Sequence, residues 1–441
     1  MKRSVHNKFC LCLLLGTEAV DKNFLDQVVI STPSSTSLHL LMIVPHRNVS
    51  SIDYLQDLIS RYDAEIGELL QFNEGMTFFD QWEAGELPRN DNWLYDVPHA
   101  MVTVVSLAIA RLEALGYQQL YLPLRSGGLN RVTENIGNFL YCLNQLADKG
   151  TSFDFRPILR YPLLEERPVC PLEETVLENH TAIKFKQKSV VLFSGGLDCT
   201  VAAYIMQKLG YSLQLYNVQY GQSNRYQEKY CIKKTVERLS NDGDVILTEL
   251  YAPIFQLIGG SALIDDSIMI TQNNTNAEYV PFRNTILINF AILYALRQGI
   301  SHIVTGAHQD DTLAPDNQLS YFHAFQMLLK SMRATAHIHL LPILLWIGGK
   351  PEIIWVGNKL GVDFRYCWSC HNYVGERQAG NSAIACGLCG NCSTRYHAFI
   401  KAGLEDPLLY DVKPAPRLSW HGWSKQSREI LDLMGLSLPE T

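Results

Sequence analysis

The stretch "VVLFSGGLDC", residues 190–199, decides how this chain is to be read. Four apolar residues, Val190 to Phe193, have the length and character of a buried strand. "TVAAYIMQKLG" follows (200–210), and the spacing predicts a helix over 199–209. Two glycines at such a junction can turn several backbone N–H groups into one concave nest. The helix that follows points its positive end at the same place. A nest of this kind binds phosphate. It is not the Walker type: no G-x-x-x-x-G-K-[ST] occurs, and Lys350, which follows a glycine pair, lacks the upstream glycine. Asp198 would repel phosphate unless Mg²⁺ sat between them, so it reads as a metal- or pyrophosphate-positioning group. The bland alternative is a strand-turn-helix whose glycines only serve packing. Cys199 is open at this point: a nucleophile, or a bystander in a loop built for something else.

Downstream, strands and helices alternate. Strands are expected at 213–218, 245–250 and 302–306, and helices at 224–240, 284–298 and 318–332. An apolar strand should precede "GGKPEIIWVGNKLG" (348–361). This rhythm implies an α/β fold with a doubly wound parallel sheet. Ligands of such sheets sit beyond the carboxyl ends of the strands, where both "SGGLDC" and "VTGAHQDDT" (304–312) fall.

Upstream the chain is also α/β, without a catalytic motif. "LHLLMIVP" (38–45) reads as a strand, 51–72 as one amphipathic helix, 100–116 as a mostly buried helix, 118–125 as a strand, and 130–150 as one helix ended by Gly150. "SGGL" recurs at 126–129, again between strand and helix, but with Asn130 in place of the acid; it reads as coincidence rather than as a degenerate nucleotide loop. Residues 161–188 carry prolines and clustered charge without a period. The division expected is an accessory domain at 1–160, a connection at 161–188 and a nucleotide domain at 189–441.

The bulk numbers bound the function. The chain has 441 residues, enough for two or three domains, with 47% hydrophobic and 18% charged residues. A net charge of −7 argues against a surface built to grip nucleic acid, though not against a nucleobase substrate. The start, "MKRSVHNKFCLCLLLGTEA", mimics a signal peptide but reads better as a first strand, and no apolar run is long enough for a membrane span. Five of the 11 cysteines cluster at Cys367, Cys370, Cys386, Cys389 and Cys392, which suits a reduced, cytoplasmic chain with a metal site rather than a disulfide framework. Thiolates at the spacing of "CGLCGNC" (386–392) can share one Zn²⁺, with Cys367 or Cys370 completing four ligands. Spacing equally allows Cys367, Cys370, Cys386 and Cys389.

Three further pieces can face the same cleft. "YVPFRNT" (279–285) places Arg283 and Asn284 at a helix start, and arginine can clamp a carboxylate or phosphate with two bonds. "QYGQ" (219–222) ends a strand. "HQDDT" (308–312) offers two carboxylates and a histidine, as metal ligands or as a solvated turn.

Together these residues resemble the 7-cyano-7-deazaguanine synthase family of PP-loop ATP pyrophosphatases. The matching pieces, in the family's order, are "SGGLD", "YGQ", "VPFRN", "PD" (315–316), "KPEII" (350–354), "WSC" (368–370), "CGLCGNC" and "GLEDP" (403–407). The resemblance implies that the carboxylate of 7-carboxy-7-deazaguanine attacks the α-phosphate of ATP, that pyrophosphate leaves, and that ammonia attacks the acyl-adenylate. A second activation then gives the nitrile. It implies ATP contacts along Phe193, Ser194, Gly195, Gly196, Leu197, Asp198, Cys199 and Thr200, with Ser194, Asp198 and Arg283 catalytic. It implies substrate contacts at Tyr220, Gln222, Arg283, Asn284, Asp311, Asp316 and Lys350. Zn²⁺ would be held by Cys370, Cys386, Cys389 and Cys392, leaving Cys367 spare, and Mg²⁺ would accompany ATP.

The departures matter as much. The family usually has serine where Cys199 stands, and a basic pair where Ser223-Asn224 follows "YGQ". Ordinary members lack the region before about 185. Enlarged relatives occur in bacterial anti-phage operons, and some attach the deazapurine to the amino terminus of a partner protein. The leading expectation is therefore amide formation on a protein docked by the first domain, with no nucleic acid or membrane partner. A homodimer stays open. The alternatives are a nitrile synthase using ammonia, a non-catalytic nucleotide-binding scaffold, and a sulfur-transferring enzyme in which Cys199 is the reactive thiol.

Overall fold

A computed structural model describes residues 9–16, 18–33, 35–44, 49–71, 92–97, 99–170, 187–252, 254–259, 261–265, 267–271, 275–311, 314–372, 374–416 and 419–439. Most of the expected connection, residues 171–186, and the first eight residues lie outside these.

The first half runs β1 (Phe9–Leu14), α1 (Glu18–Ser31), β2 (Ser37–Val44), α2 (Val49–Tyr62), β3 (Ile66–Gln71), α3 (Asn92–Asp96), α4 (Ala100–Leu115), β4 (Gln119–Tyr121), α5 (Ser126–Val132), α6 (Ile136–Gly150) and β5 (Ile158–Arg160). Its five strands are parallel, in the order β3-β2-β1-β4-β5. Cys10 to Leu14 are all fully buried, as expected for a central parallel strand covered on both faces.

The second half runs β6 (Lys188–Leu192), α7 (Leu197–Lys208), β7 (Ser212–Gln219), α8 (Arg225–Asp242), β8 (Val245–Tyr251), α9 (Ile254–Ile258), α10 (Arg283–Gln298), β9 (His302–Val304), α11 (Leu319–Ser331), β10 (His339–Leu341), α12 (Ile343–Ile347), α13 (Lys350–Lys359), β11 (Ile384–Ala385), α14 (Gly390–Lys401), β12 (Leu409–Tyr410) and α15 (Ser427–Leu433). The main sheet is β10-β9-β6-β7-β8, again parallel throughout. Counted within its own half, it repeats the strand order of the first sheet. The order reverses between β6 and β9, so the crevice of a doubly wound sheet opens at the loops that follow those two strands.

Three expected elements differ. The 51–72 stretch is α2 followed by β3, not one helix: Asp63 takes a left-handed φ of +50° that stops the helix, and Ile66–Gln71 then pairs with β2. The 130–150 helix is two, α5 and α6, because Thr133 is extended and Asn135 caps a new start by accepting from Asn138 N at 2.9 Å. The apolar run before Gly348 is a three-residue strand, then Pro342, then α12; proline cannot continue the ladder. Strand β4 likewise stops short of Pro123.

The second "SGGL" is the first turn of α5, follows β4 rather than the first strand of its sheet, and packs Gly128 against Tyr95. It is not a counterpart of the loop at 194–198.

The two halves share a core. Helix α4 packs on α10 and α6 on α11, and one contiguous apolar cluster includes Leu11, Val105 and Leu140 with Phe282, Phe290 and Phe325. Within that contact His99 Nε2 meets Asn289 Oδ1 at 2.7 Å, and Asn289 Nδ2 donates to Ser106 Oγ at 2.9 Å, so both ends of the Asn289 amide are used.

Candidate active site

The loop after β6 has the geometry of a nest. Gly195 has φ +73°, and a side chain there would lie 2.9 Å from Ile232 Cγ1 and 3.0 Å from the Glu228 carbonyl. Only glycine meets both demands. Gly196 caps α7 from an extended conformation, and its N–H donates to Ser194 Oγ at 3.3 Å. The loop after β9 comes equally close: a Cβ on Gly306 would sit 3.1 Å from Cys199 N. Ser194 is exposed at the mouth of a cleft of 1480 Å³.

Asp198 and Lys350 meet across this cleft, Nζ to Oδ2 at 2.8 Å. Lys350 is 2% exposed and opens α13, where its backbone N–H donates to Asp310 Oδ2 at 2.7 Å. His308 Nε2 lies 3.9 Å from Asp198 Oδ2. Burial alone would raise the Asp198 carboxyl, but Lys350 and then His308 outweigh it and hold it below the usual carboxylate range. Burial pushes His308 down, towards the neutral form. Asp198 Oδ1, Thr305 Oγ1 and His308 Nδ1 are buried without a hydrogen-bond partner among the described residues. Orphaned acceptors and donors beside a nest fit a polyphosphate with its divalent cation, Asp198 Oδ1 being the free carboxylate oxygen for the ion.

Cys199 is 6% exposed in the first turn of α7. Its sulfur accepts from Ser194 N at 3.4 Å and lies 3.3 Å from the Gly196 carbonyl. Burial raises this thiol. A buried thiol that burial pushes up is poorly suited to act as a nucleophile, and its contacts tie the loop together.

The opposite wall holds the other residues. Tyr220 follows β7 near Arg283, whose charge offsets part of the upward push that burial gives the Tyr220 hydroxyl. Gln222 borders the cleft, but its amide is occupied: Oε1 accepts from Tyr220 N at 2.9 Å, and Nε2 donates to Glu228 Oε2 at 2.7 Å. These two bonds hold the turn after β7 in shape. Asn284 donates to Asp316 twice, from N at 2.9 Å and from Nδ2 at 3.2 Å, so Asp316 supplies the cap that α10 lacks. Asp316 is 2% exposed, and burial, only partly offset by Arg283, pushes it up to about 7.

Nearly all the expected site residues thus line one cleft; Gly195 and Thr200 stand behind it. Both adjacent acids of "HQDDT" line the cleft: Asp310 serves the Lys350 end, while Asp311 accepts from Asn317 Nδ2 on the Asp316 side. His308 and Asp310 were visible as a histidine and an acid past a strand, with nothing to choose between them. Two other contributions carry no motif. His421, near the carboxyl end, donates from its backbone N to Asp310 Oδ1 at 3.0 Å, and Ala415, Pro416 and Ser419 line the cleft. From the first half, Glu113 and residues 152–155 line it as well.

Below the cleft, the sulfurs of Cys370, Cys386, Cys389 and Cys392 lie within 4.8 Å of one another. Cys389 and Cys392 are 3.5 Å apart and Cys386 and Cys392 3.9 Å, near the spacing of thiolates around one tetrahedral ion. The cluster is compatible with a zinc knuckle. Cys367 stands outside it, fully buried in a different apolar cluster. His371 is occupied by Glu278, Nδ1 to Oε2 at 2.7 Å, and does not join the thiols. Beneath them Arg395, 0% exposed, forms a buried pair with Asp406 at 3.0 Å and donates to the Phe364 carbonyl. This pair gives the second acid of "GLEDP", Asp406, a structural partner.

Comparison with known proteins agrees with this geometry. Residues 188–403 match the family described as queuosine biosynthesis protein QueC. A 7-cyano-7-deazaguanine synthase of Chlorobium chlorochromatii is 31% identical over 234 residues, covering 97% of that protein and 52% of this chain. The chain belongs to the QueC family. Synthases of the same name from a Cyanothece strain (34% over 236 residues) and Koribacter versatilis (33% over 243 residues) are covered to 99% and 96% of their lengths. These QueC relatives are enzymes, and each takes up about half of this chain, 51% and 53% respectively. The family match begins at β6, so the first sheet lies outside it. Among the described residues no helix is long and apolar enough to cross a membrane.

Proposed function

We propose that the chain is an ATP-dependent adenylating enzyme acting on 7-carboxy-7-deazaguanine, and that a protein amine is the final acceptor in an anti-phage system. One observation carries the adenylation: the nest and Asp198–Lys350 stand across a single cleft from Arg283, Asn284 and Asp316. Arg283 holds the substrate carboxylate. A carboxylate oxygen forms a bond to the α-phosphorus of ATP, and the bond to the bridging oxygen breaks, releasing pyrophosphate with its electron pair. The nest and Lys350 hold the charge that develops there. Mg²⁺, when bound at Asp198, neutralises phosphate charge. The amine then forms the C–N bond, AMP leaves, and the proton passes to the nearby Asp316 carboxylate. Zn²⁺ at the four thiols is structural, since a four-thiolate site is closed.

The protein acceptor is supported by the extra half, which reaches the cleft at residues 152–155. In this reading residues 1–160 form the docking domain. The second reading, a nitrile synthase that uses ammonia, is favoured by the name its relatives carry.

The test mixes the protein, ATP, 7-carboxy-7-deazaguanine and ammonium and identifies the products by mass. Small proteins produced with and without the chain are weighed in parallel. A deazapurine-sized mass gain on a small protein supports the protein acceptor. A free nitrile in high yield without any partner overturns it. Absence of Asp198-dependent pyrophosphate release overturns adenylation and leaves the scaffold.

A further inference from the structure

The turn that presents Arg283 is gripped at both ends by the first half of the chain. Tyr279 opens it and Phe282 closes it. The Tyr279 hydroxyl donates to Glu113, 3.1 Å from each carboxylate oxygen. Glu113 is 1% exposed in the last turn of α4, and it also accepts from Ser152 N at 2.7 Å. At the other end, Phe282 takes φ +52°, a conformation strained for a bulky residue. Its ring is fully buried against Gly150, the last residue of α6, where a Cβ would lie 2.4 Å from Phe282 Cε2. Strained backbone of this kind persists only where its surroundings over-determine it. Part of what surrounds Phe282, the Gly150 end of α6, comes from the first half.

On the other side of Tyr279, Glu278 accepts from Gly390 N at 3.0 Å and pairs with His371. The segment 278–284 is therefore tied to the cysteine knuckle at one end and to α4 and α6 along its length.

The geometry points to Glu113 as a positioning residue for Arg283, with the first half of the chain acting as an internal brace for the anion-holding side of the cleft. The inference rests on the reading of Arg283 as the holder of the substrate carboxylate. A contact that merely filled an interface would affect stability everywhere at once; a brace acts on one turn and one ligand.

The test uses the full chain with Glu113→Ala, Glu113→Gln, Tyr279→Phe and the double variant Glu113→Ala/Tyr279→Phe. Hydrogen exchange is followed at 279–286, and 7-carboxy-7-deazaguanine and ATP are titrated separately. Glu113→Ala and Tyr279→Phe should each speed exchange in that segment and weaken binding of the acid by on the order of tenfold, the scale of one hydrogen bond to a charged group. ATP binding should be unchanged. The double variant should be no worse than the poorer single one, since both remove the same bond. Glu113→Gln keeps an acceptor and should restore most of the binding. Unchanged exchange at 279–286, or parallel loss of acid and ATP binding with faster exchange throughout, overturns the brace. Arg283→Ala separates the two claims: if it leaves acid binding intact while the exchange result holds, the brace stands and the role given to Arg283 falls.

Discussion

Lys350 Nζ donates to Asp198 Oδ2 at 2.8 Å, joining the first turn of α13 to the first turn of α7 across the cleft. The pair sets two helix starts against the same space. Asp198→Ala should lower pyrophosphate release by on the order of 100- to 1000-fold, the scale of losing one preorganised electrostatic group. It also strands the buried ammonium of Lys350. The variant should therefore lose stability as well, and Lys350→Ala should lose activity with a smaller change in melting temperature. Equal activity of Asp198→Ala and the parent would remove this pair from the chemistry.

Cys199→Ser should keep activity. The sulfur accepts from Ser194 N and sits near the Gly196 carbonyl, and a hydroxyl can make both contacts. Burial keeps the thiol raised and protonated at neutral pH, so iodoacetamide should label Cys199 slowly. Mass mapping of the labelled chain reads this directly. Fast labelling, or an inactive serine variant, would reinstate Cys199 as a nucleophile.

Much of this site was legible because its chemistry is local. The run from Val190 to Asp198 declares strand, nest and helix within nine residues, and the order of strands in the second half follows from alternation. The choice of thiols was not local. Spacing left Cys367 and Cys392 interchangeable, and the structure separates them by packing Cys367 with a different core. The break between α2 and β3 was hidden because "EIGELLQ" keeps apolar residues at spacings that suit either element. Glu113 and His421 were invisible for another reason. Each acts through a partner tens to hundreds of residues away, and no periodicity records such a pairing.

Zinc removal should unfold the knuckle and little else at first. Purified chain should carry one zinc, lost on Cys386→Ala or Cys392→Ala and kept on Cys367→Ala, as measured by metal analysis. Chelation should loosen His371 and Glu278, which lie against Gly390 and Asn391 at the knuckle. Retention of full zinc by Cys392→Ala would mean that another group is the fourth ligand.

Asp406→Ala should be among the most damaging substitutions away from the cleft. Its partner Arg395 is 0% exposed, and removing the carboxylate leaves that charge buried and unpaired. Breaking such a pair costs about 3–5 kcal/mol. Denaturant unfolding should show this loss, while any folded fraction keeps normal ATP binding. A loss near that of a surface pair would show that water reaches Arg395.

Asp316 makes the site sensitive to pH. Its carboxyl is raised from 3.8 to about 7 in the fold, so the folded chain holds a proton that the unfolded chain releases. That contribution to stability is complete below the ordinary carboxyl value and is lost as pH rises through about 7. The groups facing it pull in opposite directions: Arg283 favours the carboxylate, while Asp311 and Glu113 oppose it. Asp316→Asn cannot titrate but keeps an oxygen for Asn284 N. The melting temperature of the parent should therefore fall relative to Asp316→Asn between roughly pH 4 and pH 7. The amine step should rise as pH passes about 7 in the parent, where the carboxylate becomes available to take the proton, and stay low in the variant. Parallel melting curves would show that the proton is held elsewhere, and a pH-independent parent rate would assign proton transfer to bulk water.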